Sequence, residues 1–163
     1  NIKDKNHLEH LAQDLEYEGK VILTKKNTCV LSIRREKICE DLIKNFNVVP
    51  VKSLILEPPN IDGDLLWAYY IGLLDGDGSI LETKKYPEYP TLSWLGTKNN
   101  LSLIKTIIDQ KLPPYHRPSN VRKAESIYVF CAGGKRGLDL FNFLEAFDVP
   151  KLRRKWDYVI KRS

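Results

Sequence analysis

The sequence predicts an α+β fold, with mixed helices over antiparallel β-sheet, laid out as two pseudo-symmetric repeats of which the first is incomplete. Three observations point there. Segments with apolar residues at helical spacing alternate with short β-rich runs grouped in pairs. The order helix, hairpin, helix, Val-Pro occurs twice along the chain. Between the two copies lies a helix that is apolar on nearly every side. The 163 residues, 42% hydrophobic and 29% charged, are enough for a real core and too apolar for a disordered chain. No apolar run approaches the roughly 18 residues that a membrane span needs.

Residues 6–17 place Leu8, Leu11, Ala12 and Leu15 on one helical stripe, with Asp4 or Asn6 as N-cap and Gly19 as the stop. Residues 20–24 and 28–33 form a hairpin across Lys25-Lys26-Asn27. A helix over 35–45 buries Ile38, Leu42 and Ile43, and Pro50, Pro58 and Pro59 make 46–61 a connector. The apolar helix starts near Asp62 or Asp64, where an acid meets the positive end of the helix dipole, and runs through Leu65, Leu66, Tyr69, Tyr70 and Leu73. Being apolar all round, it is expected to be buried on more than one side. Strands follow at 79–85 and 91–97, a helix at 99–110, strands at 119–124 and 126–132, and helices at 135–146 and 151–161.

Asp4 to Leu8 opens the first helix as Thr97 to Leu101 opens the later one, 93 residues on. Cys29 to Ser32 matches Tyr128 to Cys131, and Val49-Pro50 matches Val149-Pro150. The division expected is 1–60 for the first, incomplete repeat and 61–163 for the second. Only the second copy is preceded by the apolar helix and a first strand pair. The sequence begins at Asn1 and contains no Met, so the matching first-copy segment is expected ahead of Asn1.

A formal charge of +5 is compatible with a polyanionic partner without demanding one. Cys29, Cys39 and Cys131 are an odd number without C-x-x-C spacing, which predicts reduced thiols in or near the core of an intracellular protein rather than a disulfide framework or zinc site. His7, His10 and His116 lack the partners of a zinc centre.

The chemistry concentrates in Tyr70 to Ser79, Y-I-G-L-L-D-G-D-G-S. Gly72 and Gly76 each weaken a helix by about 1 kcal/mol, a cost explained by close approach of another helix. Asp75 and Asp77 then stand where the helix stops, and two carboxylates there suit a hard divalent cation. A calcium loop is excluded, because with Asp75 and Asp77 at its third and fifth positions, Leu73 and Lys84 would fall where carboxylates are required. A plain helix C-cap accounts for any single Gly-Asp pair, and less well for three glycines and two acids together.

These ten residues, with the elements after them, resemble the motif and core of the LAGLIDADG homing endonucleases. The likeness extends over 64–161, while residues 1–59 resemble the later part of a family repeat without its motif. The resemblance implies two motif helices packed at a two-fold or pseudo-two-fold axis, the last acid of each binding Mg²⁺ or Mn²⁺ and cleaving DNA. On this sequence it makes Asp77 the metal ligand, Asp75 a support for the helix end and interface, and Gly72 and Gly76 the close-packing positions. It places a basic residue near the scissile phosphates, for which Lys155 in Pro150 to Trp156 is the match and Lys52 its first-repeat counterpart. A solvated basic helix face is the plain alternative for both lysines.

The resemblance also implies a curved sheet whose open face enters the major groove of double-stranded DNA. Glu82 and Lys84 alternate with Leu81 and Thr83, and Arg122 precedes a β-rich run, as groove-reading positions. Lys20, Lys25, Lys26, Arg34, Arg35, Arg117, Lys123, Lys135 and Arg136 lie in or beside the hairpins, where tips meet phosphates. The implied activity is site-specific double-stranded DNA cleavage with a divalent metal, the alternative being a non-cleaving nucleic-acid binder on the same fold, an intron maturase or transcription regulator. The second motif is expected from residues ahead of Asn1 or from a second chain, and the compartment is intracellular.

Overall fold

A computed structural model of the chain describes residues 1–48, 55–82, 85–114 and 119–160, with side chains described as far as Asp157. Among the described residues it is a mixed α+β arrangement of six α-helices and two antiparallel sheets. After a single 3₁₀ turn come α1 (Lys5–Asp14), the strands β1 (Ile22–Leu23) and β2 (Cys29–Val30), and α2 (Glu36–Phe46). Next are α3 (Gly63–Gly76), β3 (Ser79–Glu82), β4 (Pro90–Gly96) and α4 (Lys98–Lys111). The chain continues through β5 (Arg122–Ala124), β6 (Ile127–Ala132), α5 (Gly134–Glu145) and α6 (Arg153–Ile160). No described helix is long and apolar enough to cross a membrane.

The order of elements follows the hydrophobic pattern, but their ends differ, and the α2 stripe expected inside is not covered, since Leu42 and Ile43 are exposed and no residue of α2 is fully buried. α1 stops well before Gly19, because Glu16 turns left-handed at φ +47° and its amide bonds back to the Gln13 carbonyl. α2 ends at Asn47, which also adopts a left-handed conformation and donates its side-chain amide to the Pro58 carbonyl. Asp4 and Asp62 occupy N-cap positions without making a side-chain cap bond, whereas Thr97 caps α4 by accepting from the Asn100 amide. Val49-Pro50 lies outside the described residues.

The four-stranded sheet runs β3-β4-β6-β5, every neighbouring pair antiparallel. One face carries Ile80, Leu92, Trp94, Phe130 and Ala132, all buried. Against it pack α4 through Leu101, Ile104 and Ile108, α5 through Leu140, Phe141 and Leu144, and α6 through Trp156. α3 joins this core through Tyr70, Ile71 and Leu74. The Trp94 indole donates to the Tyr70 carbonyl, and the Tyr70 hydroxyl, whose ionisation burial disfavours, bonds to Asn100. Together these bonds fix α3 to both β4 and α4.

The expectation that α3 is buried on several sides holds for only part of its circumference. Leu65, 66% exposed, and the exposed Gly72 and Gly76 fall on one helical face and form an open stripe. A Cβ built on Gly72 or Gly76 meets nothing within 4 Å, so neither serves a close approach within the described chain. The glycine that does is Gly78, where a Cβ would come within 2.6 Å of the Ser93 carbonyl and 2.8 Å of the Leu74 Cα. Gly137 is tighter still against the Pro90 carbonyl.

The order helix, hairpin, helix appears twice, as α1-β1-β2-α2 and as α4-β5-β6-α5. The two copies differ in cover. At the 93-residue shift Leu11 corresponds to Ile104, and at a shift of 98 Leu42 and Ile43 correspond to Leu140 and Phe141. Ile104 and Leu140 are fully buried, whereas Leu11, Leu42 and Ile43 are exposed. In the later copy the inner face lies beneath α3 and the β3-β4 pair; among the described residues the earlier copy has no counterpart of these. Gly78→Ala is expected to lower stability by ~1–3 kcal/mol through overpacking, and Gly72→Ala to raise it by ~0.5–1 kcal/mol through helix propensity, both read by chemical denaturation.

Candidate functional site at the end of helix α3

Local chain direction separates the two acids of the Asp-Gly-Asp segment. Asp75 lies in the last turn of α3, on the side facing the core, and is 5% exposed. Its carboxylate accepts from the Leu152 amide at 2.8 Å and from the Trp156 indole at 2.7 Å, so both oxygens are engaged. Asp77, two residues on at the C-cap, is exposed. One acid therefore holds α6 against the end of α3, and the other is presented outward. Both donors to Asp75 belong to α6 or the residue before it, which local sequence around the motif does not reveal.

α6 also sends Lys155 to the same place. Its ammonium donates to the carbonyls of Leu74 at 2.9 Å, Asp75 at 2.6 Å and Gly78 at 2.8 Å. Lys has three N–H donors, and all three are used. Here all three donors are taken by carbonyls, so a phosphate or a water would be reached only by releasing one of them. Burial pushes the Lys155 ammonium pKa below its ordinary value, against the opposing pull of the Asp75 and Asp77 charges. Nearby, Lys151 is buried too, its ammonium donating to the Glu145 and Phe147 carbonyls and lying 5.6 Å from the centre of the Trp156 ring.

The remaining basic residues fall into two groups. Lys20, Lys25, Lys26, Arg34 and Lys123 are exposed, with Lys25 and Lys26 in the β1-β2 turn. Arg122 is exposed on the uncovered sheet face, in register with Val129 and 4.0 Å from the Cys131 sulfur. Lys135 is exposed and pairs with Asp139. One expectation needs correction. Arg136 is 6% exposed and its guanidinium is ion-paired with Asp109, joining α5 to α4 rather than facing outward. Burial alone would raise the Asp109 pKa, and the bonds from Lys105 and Arg136 hold it below the ordinary range instead. Arg35 donates to the Leu15 and Glu16 carbonyls, closing the end of α1, with its guanidinium 5.4 Å from the centre of the Tyr17 ring.

Glu82 is also misplaced by the sequence reading. It shares strand parity with the buried Ile80 and pairs with Pro90, so it belongs to the core-side face. Leu81, paired with Thr91, takes the outer face and is 57% exposed. The outer face is thus made of Ser79, Leu81, Thr91, Ser93, Leu95, Val129, Cys131 and Arg122, and no described element covers it. Lys52, Lys84, Arg117 and His116 lie outside the described residues. The three cysteines are free, with Cys39 exposed rather than near the core.

No protein-family model matches this chain, and no curated protein matches it either. The chemistry available is therefore that of the residues themselves. Among the described residues no three His, Cys, Asp or Glu side chains converge as a metal site. Asp77 supplies one outward carboxylate, which fits one half of a Mg²⁺ site, since that ion is commonly held through one or two carboxylates with phosphate oxygens and water. Asp75, 5% exposed with its carboxylate turned to Leu152 and Trp156, is not presented to such an ion. Asp75→Asn would turn an amide N–H₂ toward one of two buried donors, and is expected to cost ~1–3 kcal/mol in denaturant unfolding, with loss of the native Trp156 environment by fluorescence.

Proposed function

We propose that this chain is a metal-dependent, site-specific double-stranded DNA endonuclease of the LAGLIDADG homing type, with α3 as its motif helix. The supporting observation is the pairing of an open stripe with an outward acid. Leu65, Gly72 and Gly76 leave one face of α3 free, and the exposed Asp77 follows Gly76 at the end of the helix. A second motif helix packed on the stripe would bring a second acid beside Asp77, contributed from residues outside this sequence or from a second chain. Small residues on the stripe let two backbones approach closely, which explains glycines that serve no contact within the described chain.

The sheet and the charge pattern support a nucleic-acid partner. The uncovered face of a twisted antiparallel sheet fits the major groove, and its Ser79, Thr91, Ser93 and Arg122 side chains can donate to or accept from base edges. Lys20, Lys25, Lys26 and Lys123, exposed at hairpins, would meet phosphates and make affinity fall steeply with salt. A bound Mg²⁺ or Mn²⁺ would polarise the scissile phosphodiester and lower the pKa of an attacking water. Asp77 would hold that ion, while Asp75 and Lys155 keep the backbone around Asp77 in place.

Two measurements test the reading. Asp77→Asn is expected to abolish Mg²⁺-dependent cleavage of a selected site, a loss of at least ~10²-fold, with DNA affinity little changed; undiminished cleavage would remove Asp77 from the chemistry. Gly72→Leu is expected to leave unfolding within about 1 kcal/mol while blocking association with the second motif and hence cleavage. Salt-dependent DNA binding without cleavage in any combination would leave the non-cleaving binder on the same fold.

A further inference from the structure

The end of α3 is held in an unusual way. The last carbonyls of a helix lack intrahelical partners. In a continuing helix the Gly78 amide would reach the Leu74 carbonyl, but here it bonds to the Leu73 carbonyl, which also accepts from the Asp77 amide. The Leu74 and Asp75 carbonyls are left to the Lys155 ammonium, which takes the Gly78 carbonyl as well. Its three acceptors thus lie on both sides of Asp77 in the chain, two before it and one after. On its other side Gly78 leaves no room for a side chain, since a Cβ there would come within 2.6 Å of the Ser93 carbonyl and 2.8 Å of the Leu74 Cα.

We propose that Lys155 is a positioning residue for Asp77, an ammonium clamp that α6 places across the backbone on either side of that acid and that sets where its carboxylate points. The proposal rests on the reading of Asp77 as the metal-binding acid. Two features make the clamp more than a neutralising charge. Its three bonds are directional and use every donor the ammonium has. The same helix also fixes Asp75 through the Trp156 indole and the Leu152 amide, so docking α6 and ordering the Asp77 turn are one event. A flexible lysine acting by charge alone would need none of these contacts.

Charge and position predict opposite signs. Removing a cation next to Asp77 strengthens its attraction for a divalent ion if the lysine acts only electrostatically, and weakens binding if the lysine holds the carboxylate in place. The full chain is therefore compared as wild type, Lys155→Met and Lys155→Arg, with Mn²⁺ alone as the probe, followed by paramagnetic broadening of the Asp77 and Gly78 amides. Amide hydrogen exchange at the same residues is measured without metal. Lys155→Met is expected to speed exchange at Asp77 and Gly78 at least tenfold relative to the β4-β6 ladder and to weaken Mn²⁺ binding several-fold, with partial recovery in Lys155→Arg. Unchanged exchange, or tighter Mn²⁺ binding, overturns the clamp.

In the wild type the Lys155 ammonium protons are expected to exchange slowly enough to give a separate ¹⁵Nζ signal, an observation that stands even where Lys155→Met fails to fold. Fast-exchanging ammonium protons there overturn the proposal. If wild-type protein shows no Mn²⁺ broadening at Asp77, the metal-ligand reading fails by itself, and the exchange and ammonium measurements still decide the clamp.

Discussion

The Asp75 carboxylate, buried and bonded to the Leu152 amide and the Trp156 indole, ties the last helix to the end of α3. Burying a carboxylate is costly unless its oxygens are satisfied, so the two bonds and the docking of α6 require each other. Trp156 completes the core beneath the sheet, which means that the same side chain closes the hydrophobic interior and orients the acid turn. Lys155 follows from this, since it reaches the carbonyls around Asp77 only because Trp156 next to it is already anchored. The outward direction of Asp77 is thus set by residues almost eighty positions away in the chain.

α3 has two characters around its axis. Toward the sheet it is bound by Tyr70, Ile71 and Leu74 and by the polar link from Tyr70 to Asn100. Away from the sheet it presents Leu65, Gly72 and Gly76 to solvent. A helix with mean composition this apolar would ordinarily sink all its faces, and the free stripe leaves hydrophobic area unburied that a second helix could cover. The earlier helix-hairpin-helix unit has the same property on a larger scale, because Leu11, Leu42 and Ile43 stay exposed where their counterparts Ile104, Leu140 and Phe141 are covered.

Hydrophobic period made the elements legible. α4 and α5 turn apolar stripes inward, with Leu101, Ile104, Ile108 and Leu140 fully buried. Element ends were less legible, since Glu16 and Asn47 turn left-handed without the glycine that usually marks such a stop. Strand parity at β3 was misjudged for a specific reason: Glu82 is polar, yet it lies on the face of Ile80, and only pairing with Pro90 reveals it. Arg136 looked like a hairpin-side cation, but Asp109 on α4 gives it a buried partner that no local pattern announces. Among the glycines, Gly72 and Gly76 drew notice by their spacing, while the tight contacts fall on Gly78 and Gly137, because close approach is decided by what lies opposite.

The sequence by itself determined the succession of helices and hairpins, the recurrence of the order helix, hairpin, helix, and the presence of two acids at a helix end, because periodicity, turn residues and spacing are local properties. Tertiary structure alone decided which of those acids is free. Asp75 and Asp77 are equivalent by composition and two residues apart. They are separated only by where Leu152, Lys155 and Trp156 arrive, and a hydrogen bond is directional and short enough that its partner across the fold, not its neighbour in the chain, selects the carboxylate it holds.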